Sequence, residues 1–453
     1  MGVSGGARTQ ALAGRPRAWP AAVRDRALID RVRQVTDELA ARLADVDGVE
    51  AAAAAAVAAN PDPRAPVWHP PGLALGHAGL ALAFGYLDLC RPRKGWDYVS
   101  HDYLTRAARH AEQGGFGSLA LFSGATGLAF ATHYLSRGTD YRRLLASIDE
   151  ALLDSLRQQL ADAGMPHGLA SAGFDVISGF SGVAAYLLRR RDEATHRALC
   201  DDVLRWLIAL TAEVDGVPRW HTPGPLIADR MMAARHPQGV LNCGLAHGIA
   251  GPLAVLALAR LQGVRLAGLT EAIRRSAMWL AARHGRDAWG VGFPAAVPLV
   301  ADPSAEIVPA RDAWCYGAPG VARALWLAGR ALDDPTLGMF AVVAMAGVML
   351  RPVPARRIDG PGFCHGVAGL LQITLRFSCD SRERVFRDGA QLLTQQLLDQ
   401  FEPQAPLGYR SLEVGGVRLD KPGVLEGAAG VMLALLAAVS RVDPAWDRLF
   451  LLS

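Results

Sequence analysis

The amino-acid sequence predicts an all-α fold, built as a closed double ring of seven inner and seven outer helices. The first observation behind this prediction is a repeat: the pattern Gly-x-x-Gly followed by an apolar run occurs seven times, at intervals of 48 to 69 residues. The second is composition, because Ala and Leu abound while aromatic residues make up only 7% of the 453 residues. The first glycines of the seven motifs are Gly76, Gly124, Gly179, Gly248, Gly317, Gly366 and Gly427.

Each motif opens a helical segment that is apolar on every side, and such a helix must be buried on every side. Between these segments lie helices with one apolar face and one polar face; from Leu145 to Leu156, for example, apolar residues recur three or four positions apart. An inner ring of buried helices inside an outer ring of half-buried helices satisfies both patterns. The predicted outer helices are Arg26–Val46, Asp97–Glu112, Tyr141–Leu160, Ala194–Val214, Leu269–His284, Asp333–Leu350 and Ser381–Phe401.

The glycines of the motif predict where function resides. Because all seven inner helices run the same way, their first residues gather at one end of the ring, and small residues there let backbones and ligands approach closely. We therefore expect a functional site at this end, as in barrels whose catalytic loops share one face. For most of the repeats, tight helix packing alone is sufficient to explain the glycines.

Charge and hydropathy exclude several classes of protein. The formal net charge is only +4, from 47 basic and 43 acidic residues, and the sequence has no basic run that would indicate a nucleic-acid partner. The longest apolar stretches, such as Phe340–Leu350, are too short to span a bilayer, and the first residues lack a signal-peptide pattern. The six cysteines are scattered, unlike a disulfide framework. We therefore expect a reduced, cytoplasmic protein without a membrane span.

Domain boundaries follow from the same patterns. Residues 1–25 are rich in Arg, Gly and Pro without periodicity, which predicts a disordered tail, and residues 26–453 are predicted to form a single ring domain. Two long connections, 215–240 and 285–310, have little helical pattern, and connections of that length inside a compact domain are usually functional. Residues 409–419 alternate like a hairpin around Gly415 and Gly416.

Three residues beside the motif glycines predict a metal site. Cys315 lies two residues before Gly317, and Cys364 and His365 directly precede Gly366. The predicted ring places these positions on adjacent inner helices at the same end. Two thiolates and an imidazole form a zinc ligand set, and three protein ligands rather than four leave the open position typical of catalytic zinc. The alternative is that each cysteine packs as a small hydrophobic residue.

Further candidates lie near the same glycines. His247 directly precedes Gly248 and has the residue type of a general acid or base, although a structural histidine would look the same. Asp175 could orient that histidine or only cap a helix. Arg311 could stabilise an anionic intermediate or only pair with a neighbouring aspartate. Cys243 lies out of register with the predicted ligands, so we interpret it as a packing residue.

The strings that carry these residues resemble a known family. FDVISGFSGV at 174–183, NCGLAHGIAGP at 242–252, RDAWCYGAPG at 311–320, GFCHGVAG at 362–369 and PGVLEGAAG at 422–430 keep the order found in lanthionine synthetase C-like proteins, the cyclases of lanthipeptide biosynthesis. The combination of WCYG and CHG is specific to that family, whereas Gly-x-x-Gly alone is not.

The resemblance implies an α,α-toroid fold and one zinc ion (Zn²⁺) per chain on the three residues already identified. It implies acid/base or polar roles for Asp175, His247, Arg311 and Tyr316. The implied reaction joins cysteine thiols of a dehydrated precursor peptide to dehydroalanine or dehydrobutyrine, which forms lanthionine or methyllanthionine rings. It also implies a separate dehydratase and an exporter as partners, in a biosynthetic complex with which a cytoplasmic enzyme would associate peripherally.

Two other functions fit the same residues. One keeps the metal but adds a free thiol, such as glutathione, to dehydroamino acids in proteins. The other is a toroidal scaffold that binds a peptide without catalysis; the presence of both Cys315 and Cys364 argues against it.

Overall fold

The computed structural model describes residues 19–62, 65–300, 307–358 and 360–453, and within them the chain forms seventeen α-helices, α1 to α17 in chain order. Seven of them form an inner ring in which each helix contacts the next and the last contacts the first. The predicted ring of seven buried helices is confirmed. The inner helices are α3 (His77–Cys90), α5 (Ala125–Leu135), α7 (Phe180–Arg189), α10 (Ala250–Leu261), α12 (Ala318–Leu332), α15 (Val367–Ser381) and α17 (Ala428–Val439).

A second ring of helices packs around the first, as the amphipathic segments predicted. Six outer helices each contact the inner helix that precedes them in the chain. These are α4 (Trp96–Gly114), α6 (Arg142–Ala163), α8 (Ala194–Leu210), α11 (Leu269–Ala281), α13 (Pro335–Leu350) and α16 (Arg384–Asp399). The seventh outer helix is α1 (Arg26–Ala44), and α2 (Val46–Ala59), α9 (Arg230–Arg235) and α14 (Val353–Arg356) lie in the connections. No helix in the described ranges has the length and apolar character needed to cross a bilayer.

The N-terminal segment completes the outer ring. Helix α1 packs against α17, the last inner helix, and so joins the two ends of the chain. Trp19 is buried, and its indole Nε1 donates a hydrogen bond to the carbonyl of Ala437 (2.8 Å). The structure thus differs from the tail predicted over residues 1–25: residues 19–25 are packed because Trp19 and Val23 dock on α17. Residues 1–18 lie outside the described part of the chain.

Burial explains why most outer helices are one-sided. In α1, apolar side chains recur three or four apart and are buried, whereas most of the charged residues between them are exposed. The buried apolar side chains are Leu28, Val32, Val35, Leu39 and Leu43.

Helix α13 departs from the polar-faced pattern predicted for Asp333–Leu350. Met339 and Val343 are 59% and 51% exposed on its outer side. The sequence of this helix has no charged residue, so its solvent face is apolar as well.

A belt of backbone hydrogen bonds connects the seven motifs at the end where the inner helices begin. The residue two positions before the first glycine of each motif, called a belt residue below, joins the next motif around the ring. Six links are N–H to C=O bonds of 2.8 to 3.3 Å between belt residues, and the seventh runs from Val176, beside Ile177, to Ala246 (3.0 Å). The belt residues are Ala74, Phe122, Ile177, Ala246, Cys315, Cys364 and Leu425.

The second glycine of each motif is explained by close approach. A Cβ added at Gly369 would lie 1.9 Å from the carbonyl oxygen of Phe363, and one at Gly430 would lie 2.0 Å from that of Val424. The same glycine also receives a side chain from the preceding motif, since a Cβ at Gly430 would be 3.5 Å from Cβ of Phe363. Tight packing between neighbouring motifs therefore requires the second glycine, as the packing interpretation proposed.

Short antiparallel strand pairs occupy the connections. They are β1 (Glu213–Val214) with β2 (Val217–Pro218), β3 (Val240–Asn242) with β6 (Ala296–Pro298), β4 (Gly285–Asp287) with β5 (Gly290–Gly292), and β7 (Arg410–Leu412) with β8 (Arg418–Asp420). The pair β7–β8 confirms the hairpin predicted over residues 409–419. The pair β3–β6 ties the two long connections to each other.

The C-terminal segment fills the middle of the ring. A 3₁₀ helix, Ala445–Phe450, places the ring of Phe450 against that of Phe363, with centroids 3.7 Å apart. The indole of Trp314 donates to the carbonyl of Phe450 (3.0 Å), and Phe450 also contacts Phe122 across the ring. Because these partners come from different motifs, the toroid has a packed centre rather than an open pore.

We predict that Gly369→Ala lowers the free energy of unfolding by about 3 kcal/mol, since the added methyl overlaps a backbone carbonyl that cannot move without breaking the belt. Chemical denaturation would measure this change. Gly114→Ala is the matched control, because a Cβ at that exposed helix end meets nothing within 4 Å. Equal stability of the two variants would contradict the packing role of the second glycine.

Candidate metal centre

The belt brings the three predicted metal ligands together. Cys315 and Cys364 are neighbouring belt residues, and the backbone N–H of Cys315 donates to the carbonyl of Cys364 (3.1 Å). His365 follows Cys364 directly and lies two residues before the first residue of α15. One ligand atom from each of the three residues lies within 4.8 Å of the other two. The sequence therefore placed these residues correctly relative to one another.

The donor set fits zinc. Two sulfurs and one imidazole nitrogen are the ligands that zinc prefers, and this group contains only three members in the part of the chain that the structure describes. Three protein ligands leave one position of a tetrahedral zinc for a substrate. Cys243 is not in the group: it is buried elsewhere, and its Sγ lies 3.7 Å from the carbonyl of Leu241.

The environment of the two cysteine sulfurs favours the neutral thiol unless a cation is bound. A hydrogen bond with Cys315, and then burial, raise the pKa of the Cys364 thiol well above its ordinary value. Burial lowers the pKa of His365, which keeps its imidazole neutral and free to bind a metal. The N-terminal ends of all seven inner helices point to this end of the ring, and their partial positive charge favours thiolates. A bound cation would complete the stabilisation of two thiolates.

A chain of charged residues begins beside His365. Its Nδ1 lies 4.0 Å from Oε1 of Glu426. Glu426 is in turn held by Lys421, whose Nζ lies 2.6 Å from Oε2 of Glu426 and 2.7 Å from Oε1 of Glu413. Lys421 is only 2% exposed, so its charge depends on these two carboxylates. Burial acts to lower the pKa of Lys421, but the ion pairs outweigh it and leave that pKa raised.

His247 and Asp175 form a hydrogen-bonded pair. Nδ1 of His247 lies 2.6 Å from Oδ2 of Asp175. The other carboxylate oxygen of Asp175 accepts hydrogen bonds from the backbone N–H groups of Ser178 and Gly179, at 2.7 and 3.0 Å, so this side chain also holds the loop that leads into α7. Asp175 is 1% exposed and His247 is 40% exposed. A buried carboxylate that can only accept fixes the proton of His247 on Nδ1 and leaves Nε2 towards the open side.

Tyr316 and Arg311 complete the polar group. The ring of Tyr316 lies 6.3 Å from that of His247, and its hydroxyl accepts a hydrogen bond from the Asn242 side chain (3.3 Å). Burial raises the pKa of Tyr316 to about 12, so the phenol is protonated near neutral pH. Arg311 is exposed, and its predicted alternative partner, Asp312, is buried against Arg351 instead (3.3 Å).

The three predicted metal ligands line one cavity of about 530 Å³ together with His247, Arg311 and Tyr316, whereas the buried Asp175 does not reach it. The cavity is called the metal cavity below. One wall comes from the β7–β8 hairpin through Leu412 and Glu413. The long connections at 215–240 and 285–310 contribute no described residue to it. The residues that line it are His247, Arg311, Cys315, Tyr316, Gly360, Gly362, Cys364, His365, Gly366, Ser411, Leu412, Glu413 and Glu426.

Sequence reasoning missed the residues that support the metal ligands. Glu426 directly precedes Gly427, and so holds in its motif the position that His365 holds in the motif before. That shared register was a signal that could have identified Glu426. Lys421 and Glu413 had no such signal, because their pairing joins a hairpin to a helix start.

A second group of possible ligands is a salt-bridge network instead. Asp149, Glu193 and His196 lie close together, but Nη2 of Arg190 is 2.8 Å from both Asp149 and Glu193. The guanidinium already supplies the positive charge that these carboxylates need. This group therefore stabilises the packing of α6, α7 and α8.

Fold and site together define a class of protein: an α,α-toroid whose helix starts bring two thiols and an imidazole close enough to bind one metal ion. Comparison with known proteins agrees, and the chain belongs to the lanthionine synthetase C-like protein family, whose model matches residues 67–451. It is similar to the nisin biosynthesis protein NisC of Lactococcus lactis subsp. lactis, with 27% identity over 324 residues, 70% of this chain and 73% of the relative.

The fold is also similar to that of a solved structure. A nisin cyclase superposes with a TM-score of 0.71 at 23% identity, over 84% of this chain and 92% of the other. At that level of identity the likeness establishes the toroid fold.

We predict that the purified chain carries about one zinc ion and that Cys364→Ala loses it, because removing one thiolate from a three-ligand site leaves too few donors. Elemental analysis of metal content measures both. Cys379→Ala is the matched control, since Cys379 is half-buried at the far end of α15 and should leave the zinc in place. Zinc retained by Cys364→Ala would contradict the assignment of the ligands.

Proposed function

We propose that this chain is a zinc-dependent lanthipeptide cyclase. It would add cysteine thiols of a dehydrated precursor peptide to dehydroalanine or dehydrobutyrine in the same peptide and so form thioether rings. The observation that carries the proposal is the three-ligand site, which opens into a cavity shared with a histidine, a tyrosine and an arginine. Membership of the lanthionine synthetase C-like family and similarity to a nisin biosynthesis protein support it.

The three ligands would act together with the substrate thiol. Zinc held by Cys315, Cys364 and His365 would lower the pKa of a cysteine thiol in its open position, so that the sulfur is a thiolate at neutral pH. The residues around the metal then orient the peptide so that this sulfur faces the β-carbon of the dehydro residue. The C–S bond forms as the carbon–carbon double bond breaks, and negative charge moves to the neighbouring carbonyl oxygen as an enolate.

Three groups would stabilise that negative charge. Arg311 lines the metal cavity and offers a guanidinium group, whose N–H groups can donate to an oxyanion. Tyr316 is protonated, because burial raises its pKa to about 12, and a protonated phenol can donate to an oxyanion. The N-terminal ends of the inner helices add a positive potential at the same end of the ring.

His247 would return the proton. Its Nε2 faces the open side because Nδ1 is bonded to Asp175 (2.6 Å). In the proposed step, Nε2–H of protonated His247 gives its proton to the α-carbon of the enolate, which completes the thioether product. The Asp175 carboxylate stabilises the imidazolium before that transfer and holds the ring in one orientation.

The proposal includes further expectations about partners and place. Dehydroalanine and dehydrobutyrine arise from serine and threonine by loss of water, and the addition proposed here starts from a peptide that is already dehydrated. We therefore propose a separate dehydratase, an exporter for the product, and a cytoplasmic place of action in a shared complex.

The direct test uses a synthetic peptide that contains one cysteine and one dehydroalanine. Ring formation leaves the mass unchanged and removes the thiol, so loss of reaction with N-ethylmaleimide measures it. Supplying glutathione together with the peptide separates the two enzymatic functions: a glutathione adduct would favour free-thiol addition, and a ring would favour the cyclase. Neither product from zinc-loaded protein would contradict the proposal and favour the scaffold.

We predict that His247→Asn lowers the rate of ring formation by about 10²- to 10⁴-fold while zinc content stays unchanged, because asparagine cannot transfer the proton. The thiol assay and elemental analysis measure the two quantities. His101→Asn, on the exposed face of α4, serves as the control. Full activity of His247→Asn would exclude the proton role.

We predict that Asp175→Asn also lowers the rate of ring formation, although the hydrogen bonds from this side chain to the backbone survive. The amide oxygen can still accept from Ser178 and Gly179, but the amide nitrogen can only donate to Nδ1 of His247. The histidine then carries its proton on Nε2 when neutral and loses the stabilisation of its charged form. We expect a loss of at least tenfold with unchanged thermal stability and an altered pH–rate profile. An unchanged pH–rate profile would contradict this positioning role.

A further inference from the structure

A second cavity adjoins the metal cavity at the same end of the toroid. Its volume is about 560 Å³, within the range of ligand-binding pockets. The two cavities share Glu413 and Glu426, which form a ridge between them. Lys421 lies against both carboxylates at 2.6 to 2.7 Å and is buried, so the ridge is held in place. A molecule bound at the metal therefore has a direct path across the ridge into the second cavity.

The two cavities are built from the same positions of the repeat. The residue directly before the first glycine of each motif is called a rim residue here. Four rim residues line the metal cavity, and one of these four, Glu426, also lines the second cavity. The other three rim residues line the second cavity alone. In order around the ring the rim residues are Leu75, Ser123, Ser178, His247, Tyr316, His365 and Glu426.

The belt residues divide in the same way. Cys315 and Cys364 face the metal cavity, whereas the second cavity is floored by apolar belt residues. Those residues are Ala74, Phe122, Ile177 and Leu425. One backbone position thus supplies metal ligands on one side of the ring and an apolar surface on the other.

The chemistry of the second cavity suits a peptide with apolar side chains. Apolar contact area is provided by its floor and by Phe116 and Pro66 at its edge. Three serines, Ser118, Ser123 and Ser178, offer hydroxyl groups that can donate to or accept from a peptide backbone. The charged residues of the lining, Glu413, Lys421 and Glu426, pair with one another along the ridge, so the floor stays apolar. An apolar floor with hydroxyl groups beside it is typical of a site that both binds and orients its ligand.

We infer that the second cavity binds apolar residues of the substrate peptide next to the cysteine that reaches the metal. This inference rests on the proposed function and specifies its substrate class. The occupant is the peptide because a bound cysteine extends in two chain directions, and the shared ridge leads one of them into this cavity. Holding that part of the chain reduces the freedom of the peptide before ring closure.

The test measures binding of cysteine peptides to protein loaded with cobalt in place of zinc. Cobalt absorbs visibly, and a thiolate that enters its open position changes the spectrum. The probes are acetyl-Leu-Leu-Cys-Leu-Leu-amide and acetyl-Gly-Gly-Cys-Gly-Gly-amide. We expect the leucine peptide to bind the wild-type chain at least about tenfold more tightly, as burial of one or more leucine side chains requires.

Two variants place the effect in the second cavity. Ser123→Trp puts a large ring at an exposed rim position and should remove the preference for leucine without weakening the glycine peptide. Leu75→Ser should reduce the preference by removing apolar area. Thr195→Trp, exposed on α8 and outside both cavities, is the matched control and should behave like the wild type.

The outcomes separate this inference from the proposed function. Equal affinities of the two peptides for the wild type, or a leucine preference that survives Ser123→Trp with an unchanged cobalt spectrum and unfolding temperature, would overturn the inference and leave the metal chemistry intact. No spectral change with either peptide would overturn both, because the thiolate step itself would be absent. Loss of the preference in Ser123→Trp and its retention in Thr195→Trp would support the inference.

Discussion

The belt of backbone hydrogen bonds is the constraint on which the other features of this toroid depend. Each link joins one motif to the next, so the belt fixes both the number of motifs and the distance between neighbouring belt residues. Cys315 and Cys364 converge because they occupy adjacent links, and no other contact is needed to pair them. The second glycine follows from the same constraint, since a side chain at Gly320 would meet the carbonyl of Trp314 at 2.2 Å and push the loop out of the belt. Structure and metal site thus have one common cause.

The sequence predicted the features that repeat and missed those that occur once. Seven motifs with alternating helix types were enough for the double ring, and the register of Cys315 and Cys364 was enough for the ligand cluster. The docking of residues 19–44 on α17 was not predictable, because nothing in an isolated amphipathic helix names its partner. The charged ridge around Lys421 was missed for the same reason: ion pairs between a hairpin and a helix start leave no periodic signal.

The two ends of the toroid have opposite electrostatics. At the rim, the positive ends of the inner helices favour anions, and the metal ligands lie there. At the other end, buried arginines meet the negative helix ends and the C-terminal segment: Arg323 donates to the carbonyl of Leu452 (2.8 Å), and Arg376 pairs with Asp447 (2.6 Å). The apolar cluster around Phe450 lies between these ion pairs and the belt, since Phe450 packs against Trp314 and Phe363, each directly before a belt cysteine. The rim is therefore the end of the toroid where the positive potential of the helix N-termini and the two cavities occur together.

Rim and belt positions differ in what a substitution would disturb. A belt residue contributes its backbone to the ring closure whatever its side chain is, which is why alanine, phenylalanine and cysteine all occur there. A rim residue lines a cavity at the end of the ring, and the belt bonds do not depend on its side chain, so this side chain can differ from motif to motif. The chain uses this freedom to place His247, Tyr316 and His365 on one half of the ring and Leu75, Ser123 and Ser178 on the other. A symmetric scaffold can therefore hold an asymmetric site, because backbone groups make the bonds that close the ring, whereas side chains that take no part in those bonds carry the chemistry.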